Sequence, residues 1–112
     1  MSVIDMAKEL GKAISESEEI EVLRQYKNEV EKHEAAKIML RDVRAFQELF
    51  DKKRLNGEEI SDEDTERFKR VYEMAQMNPY VRDLLMAEAK AFAMINEVWH
   101  CISEAVNASL KN

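Results

Sequence analysis

Residues 79–108 read PYVRDLLMAEAKAFAMINEVWHCISEAVNA, and this stretch decides the fold. It contains no glycine, and its one proline stands at the first position, where a helix tolerates proline. Apolar residues recur along it every three or four positions, which is the spacing of one helix face. The stretch therefore predicts one long helix with an apolar stripe, which is interrupted at Glu88 and consists of Val81, Leu85, Phe92, Ile95, Trp99, Ile102 and Val106.

The predicted helix is too long to be covered by one small globular protomer. Thirty residues rise about 45 Å at about 1.5 Å per residue, whereas a compact domain of this length is only about 34 Å across. The stripe then needs cover from a second protein, and a two-fold homodimer is the commonest arrangement. We therefore expect an elongated, oligomeric protein, in the form of a dimer, with Phe92 and Trp99 anchoring the stripe in the core or the interface.

The remainder of the chain also favours helices, because strong helix breakers are few and far apart. Apolar spacing predicts four further helices, which cover about 3–14, about Ser17 to a break or kink at Lys32-His33-Glu34, about 34–55, and Ser61 to Asn78. Asn56-Gly57 is typical of a helix C-terminus. Asn78-Pro79 predicts a rigid boundary, with asparagine as N-cap and proline at the first helical position. We predict an all-α fold, an antiparallel bundle of about five helices in a single domain over residues 1–112.

Composition and charge exclude several classes of function. With 46% hydrophobic and 36% charged residues, the chain is not expected to be disordered. Its 23 acidic and 17 basic residues give a net charge of -6, which argues against direct nucleic-acid binding, since that needs clustered cations. No uncharged run is long enough to span a membrane, and no signal peptide is visible. The single cysteine, Cys101, cannot form an internal disulfide, which fits a cytoplasmic protein.

One set of residues has the spacing of a metal site. Glu97 and His100 lie three positions apart, as in the ligand pairs of di-iron helical bundles, and Glu104 follows one turn later. Such bundles need a second pair, and the only other histidine, His33, lacks a glutamate three positions before it. A lone thiol such as Cys101 on an apolar helix usually behaves as a small buried hydrophobe. The alternative function is therefore a metal- or redox-handling bundle that uses Glu97, His100, Glu104 or Cys101. For the main interpretation, no cofactor is expected.

The sequence favours a binding protein over an enzyme. It contains no phosphate loop, nucleophile elbow or dinucleotide fingerprint. Seven methionines are many for this length, and methionine adapts easily to a bound partner. The residues that we predict at interfaces are Met74, Met77 and Tyr80 near the turn before the long helix, together with Phe92, Ile95, Trp99 and Ile102 within it.

Capping and packing signals follow one another in a fixed order along nearly the whole chain. They are Ala7, Leu10 and Ile14 followed by Ser17-Glu18-Glu19-Ile20, then Glu34-Ala35-Ala36-Lys37, Asn56-Gly57-Glu58-Glu59-Ile60-Ser61, Asn78-Pro79-Tyr80-Val81 and Ala87-Glu88. In this order they resemble the YlbF/YmcA family of small helical bacterial proteins, and within it the YheA-like branch.

The resemblance implies an all-helical protein that forms dimers or higher oligomers and has no enzymatic activity. Members of the family regulate mRNA processing, competence, biofilm formation and sporulation by acting with partner proteins on endonuclease machinery. Some carry iron–sulfur clusters on cysteines, and this chain departs from that pattern because Cys101 is alone. The expected function is therefore that of a non-enzymatic adaptor or regulator with a protein partner.

Overall fold

A computed structural model of the chain describes residues 1–111. Five α-helices account for about 86% of the chain, and residues 1–111 contain no β-strand. The helices are α1 (Val3–Ser15), α2 (Glu18–Glu31), α3 (Glu34–Leu55), α4 (Asp62–Gln76) and α5 (Pro79–Leu110). The predicted all-α fold of five helices with a long C-terminal helix is confirmed. No helix within residues 1–111 has the length and apolar character needed to cross a membrane.

Serine residues cap the starts of three helices, and at α2 the Ser17 hydroxyl accepts a hydrogen bond from the N–H of Ile20 at 3.3 Å. The Ser2 hydroxyl accepts a hydrogen bond from the backbone N–H of Asp5 at 3.1 Å, and the Asp5 carboxylate accepts one from the N–H of Ser2 at 3.2 Å. This reciprocal pair is a capping box, which satisfies two N–H groups that the first turn of α1 leaves free. Ser61 likewise accepts from the N–H of Asp64 at 3.1 Å and caps α4.

Two predicted interruptions lie where the local sequence signals placed them. Between α2 and α3, His33 adopts an extended backbone (φ -126°, ψ 111°), so the predicted break is confirmed. Between α4 and α5, the side-chain oxygen of Asn78 accepts hydrogen bonds from the N–H groups of Tyr80 at 3.0 Å and Val81 at 3.3 Å. Asn78 is therefore the N-cap of α5, with Pro79 as its first residue, and the predicted boundary is also confirmed.

A glycine ends α3. Gly57 has a φ of +71°, in the left-handed region that side chains disfavour. The N–H of Glu58 donates to the carbonyl of Lys53 at 2.8 Å, and the N–H of Gly57 donates to that of Arg54 at 3.2 Å. These two bonds form a Schellman motif, which satisfies carbonyls that the end of the helix leaves free. The predicted C-terminus at Asn56-Gly57 is thus confirmed.

The chain divides into two compact units. The first comprises Met1–Gln25 and the chain from Leu85 onward, and its buried residues are Ala87 and Ala91. The second is Tyr26–Leu84, whose buried residues are Val30, Ala36, Val43, Ala75, Val81 and Leu84. A single domain over residues 1–112 stays a prediction.

In the second unit, aromatic side chains join α3 to α4. The ring of Phe68 lies 5.3 Å from that of Phe50, edge to face, and 5.8 Å from that of Phe46. At one end of this hairpin, the Lys53 ammonium donates a hydrogen bond to Asp64 Oδ2 at 3.1 Å. That bond lowers the pKa of the Asp64 carboxyl, and desolvation opposes the shift. The ion pair holds the C-terminal turn of α3 beside the first turn of α4.

Candidate interaction surfaces

The distal half of α5 carries a row of large apolar side chains that the protomer leaves largely uncovered. Phe92 is 61% exposed and Trp99 is 63% exposed. With Ile95, Ile102 and Val106 they alternate at spacings of three and four residues, which is the heptad pattern of a helix that packs against another helix. Ile95 is half-buried, and the other four are exposed. We call these five residues the α5 stripe.

The face of α5 that one protomer buries is offset from the predicted stripe, which was expected to lie in the core or at an interface. The fully buried residues are Val81, Leu84, Ala87 and Ala91, whereas the predicted stripe continued through Leu85, Glu88 and Phe92. The two faces are offset by one residue, which is about 100° around an α-helix. Ala87 and Ala91 therefore line the second half of the buried face, and the large residues of the α5 stripe remain outside it.

The positions of α5 that flank the α5 stripe carry no charged residue. If Phe92, Trp99 and Val106 are taken as heptad position a, the flanking e and g positions are occupied by Asn96, Val98, Ser103 and Ala105. The only acidic or basic residues from Ala91 to Leu110, apart from His100, are Glu97 and Glu104, which occupy position f on the far side. Charged residues are depleted at the centres of protein interfaces. The α5 stripe has this composition although the protomer leaves most of it exposed.

Helix α1 is a second uncovered apolar surface in the same unit. No residue of α1 is buried, and Val3 is 80% exposed. Its apolar residues Val3, Ala7, Leu10 and Ile14 share one face at helical spacing, while Asp5, Lys8, Glu9 and Lys12 occupy the opposite face. The helix is thus amphipathic. On its apolar face, Val3, Ala7 and Leu10 are exposed and Ile14 is half-buried.

The second unit presents a smaller apolar surface at the turn between α4 and α5. Met74, Met77 and Tyr80 are all exposed, Met77 to 81%. We call these three residues the corner patch. The ring of Tyr80 stacks on the imidazole of His33 with 3.8 Å between ring centroids and 16° between ring planes. Sequence reasoning missed this contact; its only signal was that both residues stand beside a helix boundary.

The candidate metal ligands do not form a cluster. His100 Nε2 lies 3.1 Å from Glu104 Oε1, and both side chains are about 70% exposed. Within residues 1–111, no group of three or more histidine, cysteine, aspartate or glutamate side chains is arranged to hold a metal ion. The expectation that Cys101 is a buried apolar residue is wrong, because its thiol is exposed. The geometry joins only His100 and Glu104, as a surface pair.

Comparison with protein families and relatives identifies a family match along almost the whole chain. A family model described as control of competence regulator ComK, YlbF/YmcA, matches residues 3–107. A UPF0342 protein of Alkalihalophilus pseudofirmus is 33% identical over 103 residues, which cover 92% of this chain and 87% of that protein. A UPF0342 protein of Caldicellulosiruptor bescii is 30% identical over 105 residues, which cover 94% and 88% respectively.

Two solved structures share the fold. A protein of unknown function (DUF964) from Bacillus stearothermophilus superposes with a TM-score of 0.85 at 25% identity, covering 94% of this chain and 92% of that one. RicA of Bacillus subtilis, solved in complex with RicF, superposes with a TM-score of 0.67 at 22% identity, covering 97% and 96%. At that identity the second comparison shows a shared fold alone.

Proposed function

The chain belongs to the YlbF/YmcA family, and we propose that it is a non-enzymatic cytoplasmic adaptor that regulates other proteins through helix-to-helix contacts. The description of the family is regulatory, and the relatives compared above carry no enzyme names. The processes that such an adaptor would control are those of the regulators that the chain resembles: mRNA processing, competence and biofilm formation.

The observation that carries the proposal is the uncharged, exposed α5 stripe. Large apolar residues at heptad spacing are ordinarily covered by a second helix. Among the described residues, no group of side chains is arranged to hold a metal ion. On α5, the feature that stands out is the exposed apolar surface. These features support a role in binding.

We assign two of the three apolar surfaces, the α5 stripe and the corner patch, to different partners. The α5 stripe, with Phe92, Ile95, Trp99 and Ile102, is the proposed homodimer interface, because helix-to-helix self-association needs a long apolar row. The corner patch is the proposed site for a different protein, since exposed methionines adapt to varied partners. The complex of RicA with RicF supports the idea that a protein of this fold binds a partner protein.

The partner site can be tested by capturing bound proteins in the native host. Met77→Asp places a charge in the corner patch, while Asn28→Asp adds the same charge to an exposed position of α2 in the same unit. Affinity-tagged wild type and Asn28→Asp should recover a common partner, which mass spectrometry identifies, and Met77→Asp should lose it. Equal recovery by all three proteins would contradict the assignment of the corner patch.

A further inference from the structure

Helix α1 is ordered although little of the protomer covers it. It contains 13 residues, and none of them is buried. Isolated helices shorter than about 12–15 residues are only marginally stable in water, and most helices in proteins depend on packing of an apolar face. The capping box at Ser2 stabilises only its first turn. The helix therefore needs a surface on which Val3, Ala7 and Leu10 can pack.

The α5 stripe has the length and chemistry of such a surface. From Phe92 to Val106 it extends about 21 Å, and the 13 residues of α1 extend about 20 Å, at about 1.5 Å per residue. Both faces are apolar, and the flanks of the α5 stripe carry no charge that α1 would have to desolvate. Yet Val3 and Trp99 are both largely exposed in the single chain. The two surfaces match each other, but both remain largely exposed within one protomer.

The chain exposes more surface than a compact monomer of the same mass, as expected of a subunit that associates with another subunit. The chain exposes 8742 Å², whereas a folded monomer of 13.1 kDa exposes roughly 6,400 Å². The excess of roughly 2,300 Å² lies within the range of about 1,000–2,500 Å² that each partner buries in an obligate dimer.

We propose that α1 of one copy packs along the α5 stripe of a second copy, and that the second copy returns the same contact. This inference rests on the proposed homodimer and specifies which segment covers its interface. Each copy carries one α1 and one α5 stripe, so a reciprocal exchange covers both surfaces of both copies. A pairing of the two stripes alone would leave α1 exposed.

The absence of charged residues beside the α5 stripe favours a second copy of the chain, rather than a different protein, as its partner. In paired helices, charged residues at positions e and g select the partner. The corresponding positions beside the α5 stripe, such as Asn96 and Ser103, are uncharged. Nothing there selects a foreign helix by charge, and the face of α1 around Ala7 and Leu10 is equally uncharged.

Paired substitutions test the exchange. Leu10→Asp places a charge on the apolar face of α1, and Ile102→Lys places one in the α5 stripe. Ser15→Asp is the matched control, because it adds the same charge to an exposed polar position of α1. A buried charge without a partner should weaken the dimer by roughly 100-fold or more for each of the first two variants. Sedimentation velocity at tens of micromolar protein measures the oligomer, and circular dichroism checks that each variant is helical.

Mixing the two monomeric variants provides the decisive measurement. In a dimer with one Leu10→Asp and one Ile102→Lys chain, one of the two exchanged contacts is entirely wild-type and the other pairs Asp with Lys. The mixture should therefore form a dimer that contains one copy of each, which native mass spectrometry resolves, while Ser15→Asp behaves as wild type. Met6→Asp, at another exposed apolar position of α1, should reproduce the effect of Leu10→Asp.

Other outcomes overturn the exchange and separate it from the homodimer itself. If Leu10→Asp and Met6→Asp stay dimeric while Ile102→Lys is monomeric, the stripes pair with each other; the exchange is wrong and the homodimer stands. If the variants are monomeric but their mixture forms no dimer, α1 does not reach across to a second copy. A monomeric wild type would contradict both the exchange and the homodimer, leaving the corner patch to its own test.

Discussion

Replacing Trp99 by alanine should dissociate the proposed homodimer with little effect on the helices. An exposed fraction of 63% of a side chain that presents about 250 Å² leaves about 160 Å² for a partner to cover. At about 25 cal/mol per Å², complete cover of that area stabilises the dimer by about 4 kcal/mol for each copy. A partner seldom covers such an area completely, and alanine retains some contact. We therefore expect the dissociation constant to rise at least about 100-fold, which corresponds to about 2.7 kcal/mol of binding free energy.

Trp99 also reports on the interface, because it is the only tryptophan of the chain. When the wild type is diluted from micromolar to nanomolar concentration, its fluorescence emission should shift to longer wavelength as the indole becomes exposed to water. Sedimentation equilibrium gives the dissociation constants of the wild type and of Trp99→Ala. Trp99→Phe is the control, since it keeps most of the apolar area and should keep the dimer. An unchanged dissociation constant for Trp99→Ala would refute the placement of the α5 stripe at the interface.

Three further predictions concern stability and metal content. Gly57→Ala should lower the free energy of unfolding by about 1 kcal/mol, because its φ of +71° disfavours a side chain, and Gly57→Asn should cost less; urea titration measures both. The lowered pKa of Asp64 stabilises the fold fully above the ordinary carboxyl pKa of about 3.9, and this contribution is lost as the pH falls through the lowered pKa. Urea titrations at pH 7 and pH 3 should therefore show a smaller loss of stability on acidification for Asp64→Asn than for the wild type. Untagged protein should contain no stoichiometric metal by elemental analysis, and bound metal that disappears in His100→Ala would support the metal-handling alternative.

Helix boundaries could be predicted because a few neighbouring residues determine each of them. Asn78 caps α5 through N–H groups only two and three positions away. Gly57 ends α3 through its own backbone conformation and bonds to the preceding turn. Such signals are contained in the local sequence, and the same holds for the break at His33, where the apolar spacing lapses.

The orientation of α5 could not be predicted in the same way. Apolar residues occupy a wide arc of this helix, and periodicity alone does not decide which part of that arc the protomer buries. The predicted stripe runs through Leu85 and Phe92, whereas the protomer itself buries Ala87 and Ala91. Small residues allow neighbouring backbones to approach closely. Which side-chain volume fits at such a contact depends on the helix packed against it, and that helix lies far away in the sequence.

The corner patch was only partly predictable, because some of its contacts join residues that are far apart in the sequence. Met74 lies in the last turn of α4 and Met77 is its C-cap, and both side chains are exposed. The stacking of Tyr80 on His33 joins residues that are far apart in the chain, and no local pattern specifies such a contact. The metal alternative depended on spacing alone, and spacing does not supply the additional ligands that a site requires.

The distribution of apolar surface also determines how far association would proceed. Two different surfaces that bind each other, here α1 and the α5 stripe, form an open filament when successive copies add head to tail, and a closed dimer when the exchange is reciprocal. In the reciprocal arrangement a two-fold axis uses both surfaces of each copy, and no matching pair remains for a third copy. The near-equal lengths of α1 and the α5 stripe favour this closure, because α1 of a second copy then covers the stripe almost completely.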